Sequence, residues 1–314
     1  MQTSPPFVEP LAHGVCAIDT GFVRPRFDAS HLIVEQGRAA FVDTGTNHAV
    51  RRLLEALESL GLARDAVDYV IATHVHLDHA GGAGALLQHL PSARLVVHPL
   101  GARHLVDPSR LMASARTVYG DAEVARSYGE LIPVPAERVL ETHDAMALHL
   151  AGRALHFIHT PGHARHHHCI WDERSRGLFT GDTLGVAYPE FSSALGVWLI
   201  PATPPTQFDP DALRASVRRL LSFDPQRVYL THYGEATSVR ELGETFLARL
   251  DAMVELAQSL RTHAQRLQAL QLGLADLYRV WLREHSCPLD EARALHLLGI
   301  DIDINAQGLH HWLG

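Results

Sequence analysis

The sequence predicts a layered α/β protein, with two strand-rich halves, helices outside them and a helical C-terminal extension. Three observations carry this. Short apolar runs bounded by Gly, Pro and Asp alternate with amphipathic runs through the first half of the chain. A second set of apolar runs begins near Arg138. From Ser238 the pattern turns helical and stays so.

From about Val15 to Thr44, VCAID, HLIVEQ and AAFVDTG read as strands. HAVRRLLEALESLGL follows as a helix, with Leu53, Leu54, Leu57 and Leu60 on one face and Gly61 as its stop. DYVIATH is a buried strand, GALLQHL a helix and ARLVVH another strand. Residues 99–130 are mainly helical, interrupted by Pro108 and Gly120. The second half supplies RVLETH, ALHL, ALHFIHT, HHHCIWD, GLFTGD and RVYLTH as strands. Strand alternating with helix, then strands again, predicts a sandwich with helices outside. The extension from Ser238 has the size of a small domain or a lid, and its apolar stripe fits a lid or a homodimer face.

With 46% apolar and 20% charged residues, the chain can build a sizeable core. A formal net charge of −8 and the lack of any Lys/Arg-rich run argue against nucleic acid as a partner. MQTSPPFVEP lacks a basic region followed by an apolar one, and no later stretch is apolar enough to span a bilayer. A cytoplasmic protein acting on a small molecule, without membrane or nucleic-acid partners, is the expectation. Cys16, Cys169 and Cys287 are too widely spaced for a disulfide framework. We read Cys169 as a buried core thiol.

The unusual number is 23 histidines. THVHLDHAGG places His74, His76, Asp78 and His79 within six positions. On extended backbone His74 and His76 point the same way, and Asp78 and His79 then fall in a turn before Gly81 and Gly82. Imidazole and carboxylate suit zinc and neighbouring transition metals. So short a segment cannot easily wrap four ligands around one ion, so two adjacent ions fit better. Further ligands are expected at other strand ends: His163 in HTPGHARHHH, Asp182 in GLFTGDTLG and His232 in RVYLTHYGE.

HVHLDH, HTPGH, FTGD and LTHYG, in that order and preceded by VDTG at Val42–Gly45, resemble the metallo-β-lactamase-fold metallohydrolase superfamily. The likeness runs from about Val15 to Gly234 and is strongest to a stand-alone branch similar to glyoxalase II and lactonases. It implies a four-layer αββα sandwich, with residues 1–237 as the catalytic domain and 238–314 as a helical C-terminal domain. It also implies His74, His76 and His163 on one metal and Asp78, His79 and His232 on a second. Asp182 would bridge them, and Asp43 of VDTG would support the site without binding metal. The implied cofactors are two divalent transition-metal ions, zinc first, with iron or manganese as substitutes.

The implied activity is hydrolysis of a small ester, thioester, lactone or related substrate by a metal-bridging hydroxide, with Asp78 orienting the nucleophile and Asp182 bridging the ions. Asp182 stands where penicillin-degrading members have cysteine, which argues against a β-lactamase. The ending LTHYGE, in place of the CGHEY of glyoxalase II, weakens the case for a glutathione thioester. Three alternatives share the motifs or the fold: a mononuclear-iron, persulfide dioxygenase-like oxidoreductase, a metal-stabilised binding or signalling protein, and a nuclease, which the acidic charge disfavours.

Tyr188 and Trp198 are candidate substrate contacts because they follow the bridging aspartate in a proline-bounded loop. Tyr119 and Arg103 are candidates on the interrupted helical segment. His166, His167 and His168 are expected to alternate faces on a strand, with at most some near the cleft. His159 reads as a strand residue. The other histidines, His31, His98 and His143 among them, read as scatter from a histidine-rich composition.

Overall fold

Strand faces explain the architecture. The computed structural model describes residues 5–314, the side chains of Val118 and Tyr119 excepted, so the expected substrate contact at Tyr119 lies outside the described residues. Contacts divide the chain into two compact units. The first holds the chain through His159, then His166–Gly181 and Gln226–Thr237; the second holds Thr160–Arg165, Asp182–Pro225 and Ser238–Gly314. Ser238, the expected domain boundary, thus opens the last segment of the second unit, which also takes up two earlier segments.

In the first unit one sheet has the order β1 (Val8–Pro10), β2 (Val15–Asp19), β3 (Ala29–Glu35), β4 (Arg38–Val42), β5 (Val67–Ile71), β6 (Arg94–Val97) and β7 (Val139–Glu141). Neighbours are antiparallel through β4 and parallel from β4 to β7. Each parallel step needs a helical crossover. These are α1 (Val50–Ser59), then α2 (Leu77–Ala80) with α3 (Ala83–His89), then α4 (Pro99–Val106), α5 (Ser109–Tyr119) and α6 (Asp121–Ser127).

The second sheet holds β8 (Ala147–Leu150), β9 (Arg153–His159), β10 (His168–Asp172), β11 (Gly177–Gly181), β12 (Arg227–Leu230) and β13 (Gly234–Ala236), in the spatial order 13-12-11-10-9-8. It is antiparallel except between β11 and β12.

Side chains alternate across a strand, and the first sheet shows it. Leu32, Phe41, Val70, Leu95 and Val97 pack with Leu53, Leu57, Leu86 and Leu87 of the helices on one face. Ile33, Ala40, Val42, Ile71 and Val96 face the other way, onto Leu155, Phe157, Ile170, Phe179 and Tyr229 of the second sheet. The expected α/β sandwich is therefore present, with its core between two mixed sheets. Cys169 is fully buried, as expected, and its thiol donates to the Thr180 carbonyl at 3.4 Å.

The second unit is helical: α7 (Pro210–Leu221), α8 (Val239–Ser259), α9 (Arg266–Glu284), α10 (Glu291–Leu297) and α11 (Gly299–Trp312). Asp209 caps α7 by accepting from the amides of Asp211 and Ala212. Asn305 knits the interior, accepting from the Thr203 amide and donating to the Pro201 carbonyl and the Tyr278 hydroxyl. Among the described residues, no helix is long and apolar enough to cross a membrane.

Candidate metal centre

The predicted ligands all follow the C-terminal ends of strands, the usual place for binding groups in layered α/β folds. His74 and His76 follow β5, His163 follows β9, Asp182 follows β11 and His232 follows β12. Asp78 and His79 sit on α2, a single helical turn where the sequence suggested a plain turn.

The first unit brings together five of the seven. His74 Nε2 lies 2.9 Å from His76 Nδ1. Asp78 Oδ2 lies 3.4 Å from His232 Nε2 and 4.0 Å from His79 Nε2. Ligand atoms of Asp78, His79 and His232 all fall within 4.8 Å of one another. His74, His79 and His232 are buried, whereas His76 and Asp78 are partly open to solvent. In the second unit His163 Nε2 and Asp182 Oδ2 lie 3.4 Å apart, both buried.

The outer nitrogens explain why these imidazoles present Nε2. A carboxylate or carbonyl can only accept, so the ring nitrogen facing it carries the proton. His79 Nδ1 donates to Asp43 Oδ2 at 2.8 Å and His232 Nδ1 to the Phe27 carbonyl at 2.8 Å. His163 Nδ1 donates to the Ala202 carbonyl at 3.1 Å. Thr73 donates its hydroxyl to Asp43 and accepts from His74 Nδ1 at 3.1 Å. In each case the lone pair is left on Nε2, the tautomer a metal ligand requires.

Asp43 is the hub. Its Oδ1 accepts the Thr73 amide at 2.8 Å, and its Oδ2 accepts the Thr231 hydroxyl at 2.8 Å as well as His79. It has a left-handed backbone (φ 58°), which aspartate tolerates better than most residues. Next to Phe27, Asp28 is fully buried and accepts from the Thr20 hydroxyl at 2.5 Å. Burial pushes its carboxyl up to about 7, against the pull of His232 and His79.

Two glycines permit the close approach of these loops. A Cβ on Gly82 would meet the Thr46 carbonyl at 2.9 Å. Gly181 has φ +47°, and a Cβ there would lie 2.6 Å from His167 Nε2 and 2.7 Å from Thr73 Oγ1.

The histidine run departs from expectation. β10 begins only at His168, so His166 and His167 lie in the preceding turn and need not alternate faces. Both reach the ligands. The ring of His167 stacks on His74 at 4.8 Å, and His166 is edge-on to His76 at 5.7 Å.

Other imidazoles form a separate group in the first unit. His98, His143, His159 and His168 line a cavity of about 170 Å³. The Leu100 amide donates to His98 Nδ1, so neutral His98 holds its proton on Nε2 and donates it to His159 Nδ1 at 2.7 Å. Burial lowers the pKa of His98 to about 4, which keeps it neutral. This tautomer suits a hydrogen-bond donor and not a metal ligand.

Of the expected substrate contacts, Tyr188 is buried in the second unit with its hydroxyl 2.9 Å from Asp301 Oδ1. Trp198 is buried there too, against Phe191 and Tyr278 and beneath the Arg249 guanidinium at 5.3 Å. Arg103 lies on α4, its Nε 3.4 Å from His104 Nε2. Sequence reasoning missed the loop that carries Phe27. There Arg24 stacks over the Phe27 ring at 4.5 Å, and that ring sits 5.5 Å from His232. A residue that acts through its carbonyl leaves no side-chain signal to find.

With this geometry in hand, the comparisons with known proteins decide the family. The family model of the metallo-beta-lactamase superfamily matches residues 23–232. The chain belongs to that superfamily. One relative is the metallo-beta-lactamase fold-containing protein ST1585 of Sulfurisphaera tokodaii, 33% identical over 174 residues that cover 54% of this chain and 62% of that protein. The match thus spans about three fifths of the relative. A hydroxyacylglutathione hydrolase of Stenotrophomonas maltophilia is 29% identical over 288 residues, covering 90% of this chain and 91% of the other. The crystal structure of archaeal ST1585 superposes with a TM-score of 0.67 at 23% identity, covering 95% of this chain and 99% of that one. At that identity the superposition bears on fold alone, and it agrees with the two-sheet architecture.

Proposed function

We propose that the protein is a hydrolase that uses two divalent metal ions on a small ester, thioester, lactone or related acyl substrate. The observation that carries this reading is the convergence of Asp78, His79 and His232 within 4.8 Å, with the outer nitrogens of both imidazoles held by acceptors. Imidazole nitrogen and carboxylate oxygen are the donor set of zinc and its neighbours, and buried ring tautomers fixed this way fit such an ion.

In this reading His74, His76 and His163 would hold one ion, Asp78, His79 and His232 the other, and Asp182 would serve both. When bound, such a pair supplies hydroxide from water near neutral pH and draws charge from a carbonyl oxygen. The chain's own part is positional. Asp43 and Thr73 fix the His79 and His74 rings, and the Phe27 carbonyl fixes His232. Asp78, whose side chain is about a quarter exposed, can turn a carboxylate oxygen towards an attacking water. The name of the Stenotrophomonas relative, a hydrolase of an acylglutathione, supports acyl chemistry over phosphoryl chemistry.

The test is a panel of esters, thioesters, lactones and phosphodiesters, run on protein stripped of metal and reloaded with zinc, beside His232→Ala. Metal-dependent hydrolysis of an acyl substrate, lost in the variant, is expected. Equal rates in variant and parent would show the turnover to come from elsewhere.

A further inference from the structure

None of His166, His167 and His168 belongs to the proposed ligand set, yet His166 and His167 lie against it. His166 is 5% exposed, and its ring flanks both members of the His74–Val75–His76 segment: edge-on to His76 at 5.7 Å, and within 13° of parallel to His74 at 6.2 Å. The Val75 amide, between the two ligands, donates to His166 Nδ1 at 3.4 Å. A backbone amide only donates, so Nδ1 is the acceptor and the ring's own proton lies on Nε2. Helix α4 closes on the same spot through Gly101, where a Cβ would meet Val75 Cγ1 at 2.7 Å.

The amide of Val75 belongs to the peptide plane that joins it to His74. A rotation of that plane swings the two neighbouring side chains relative to each other. His74 is held from behind by Thr73, whereas His76 meets His74 through Nδ1 and keeps some exposure. The mutual angle of the pair therefore depends on what holds the peptide between them.

We infer that His166 is a positioning residue, whose Nδ1 pins the Val75 amide and thereby sets the angle at which His74 and His76 converge. The inference rests on the metal-binding reading above and extends it to a residue outside the proposed ligand set. It separates His166 from His167, whose ring stacks on His74 at 4.8 Å.

Two variants separate an acceptor from a space-filling ring. His166→Asn keeps an acceptor oxygen where Nδ1 stands, and His166→Phe keeps a ring of similar size without one. Each is checked for folding by circular dichroism, stripped of metal and titrated with cobalt(II), whose visible bands report ligand geometry. Cobalt affinity of the Asn variant should stay within about threefold of the parent with the same bands, and that of the Phe variant should fall by about 10- to 100-fold with shifted bands. A Phe variant matching the parent in affinity and bands would overturn the inference, as would an Asn variant that loses as much as Phe. A parent that takes up no cobalt would instead remove the metal site itself.

Discussion

Asp43 Oδ2 accepts the Nδ1 proton of His79 at 2.8 Å while also accepting the hydroxyl of Thr231, so one buried carboxylate ties the turn after β5 to the end of β12. Its position four residues before Asn47, in a loop far from HVHLDH in sequence, makes it a remote control on the ligand set. An asparagine there cannot satisfy the same partners, because its amide nitrogen would meet a donor. Asp43→Asn should weaken divalent-metal binding by about 10- to 100-fold. Competitive titration against a chromophoric chelator checks this. Unchanged affinity would mean His79 needs no orienting acceptor.

Gly181 makes a separate prediction about packing behind the ligands. Its backbone is left-handed, and a methyl group would press on His167 and Thr73. Gly181→Ala should cost about 2 to 3 kcal/mol of stability, the sum of backbone strain and a displaced ring. Urea unfolding of metal-free protein measures it. A loss below about 0.5 kcal/mol, the range of neutral surface changes, would show that the site relaxes freely.

His31 predicts a pH dependence. Its ring lies in the inter-sheet core beside Phe179 at 5.6 Å and Tyr229 at 5.7 Å. Burial lowers its pKa to about 4, with Asp43 opposing the shift. The unfolded chain takes up this proton near pH 6.5 and the folded chain only near pH 4, so stability falls as pH falls between them. By pH 5 this residue should remove about 2 kcal/mol from metal-free protein, a loss that His31→Phe does not share. Urea unfolding of both proteins at pH 7 and pH 5 reads the difference. A gap between them that stays constant with pH would contradict the assignment.

A buried ion pair between β9 and β10 gives a fourth prediction. Arg153 Nε donates to Asp172 Oδ1 at 2.9 Å, Nη2 donates to Oδ2, and Nη1 donates to the His13 carbonyl at 2.8 Å. Both side chains are almost wholly buried. Arg153→Met leaves a buried carboxylate without its cation and should cost about 3 to 5 kcal/mol. The double change Arg153→Met with Asp172→Leu should recover much of that, measured by thermal unfolding. A single variant as stable as the parent would rule the pair out as a structural element.

How much of this was readable beforehand depends on which physical signal each residue leaves. Strand alternation and leucine spacing on α1 are side-chain patterns, and the sandwich and its outer helices followed from them. HVHLDH and LTHYG place polar residues at the mouths of apolar strands, a contrast that sequence displays directly. Phe27 and Ala202 act through carbonyls, which every residue owns, so no pattern marks them. HHHCIWD reads as a strand from His166, because nothing in the sequence separates the first two histidines from the run that follows. The strand starts two residues later, at His168, and the turn lets both rings face the ligands. Tyr188 and Trp198 lie in a proline-bounded loop, and aromatics there read the same whether they cover a core or line a cleft. The division into units was also hidden, since contacts made by Thr160–Arg165 depend on where distant helices pack.

The central claim is that two divalent ions sit among these residues and that acyl hydrolysis depends on them. Metal quantification on protein purified without added metal, followed by hydrolysis of an acyl substrate before and after chelation, tests it most directly. The account predicts two divalent ions per chain, activity lost on chelation and restored by adding metal back. A chain that holds no ion, or hydrolysis that survives complete removal of metal, would contradict it.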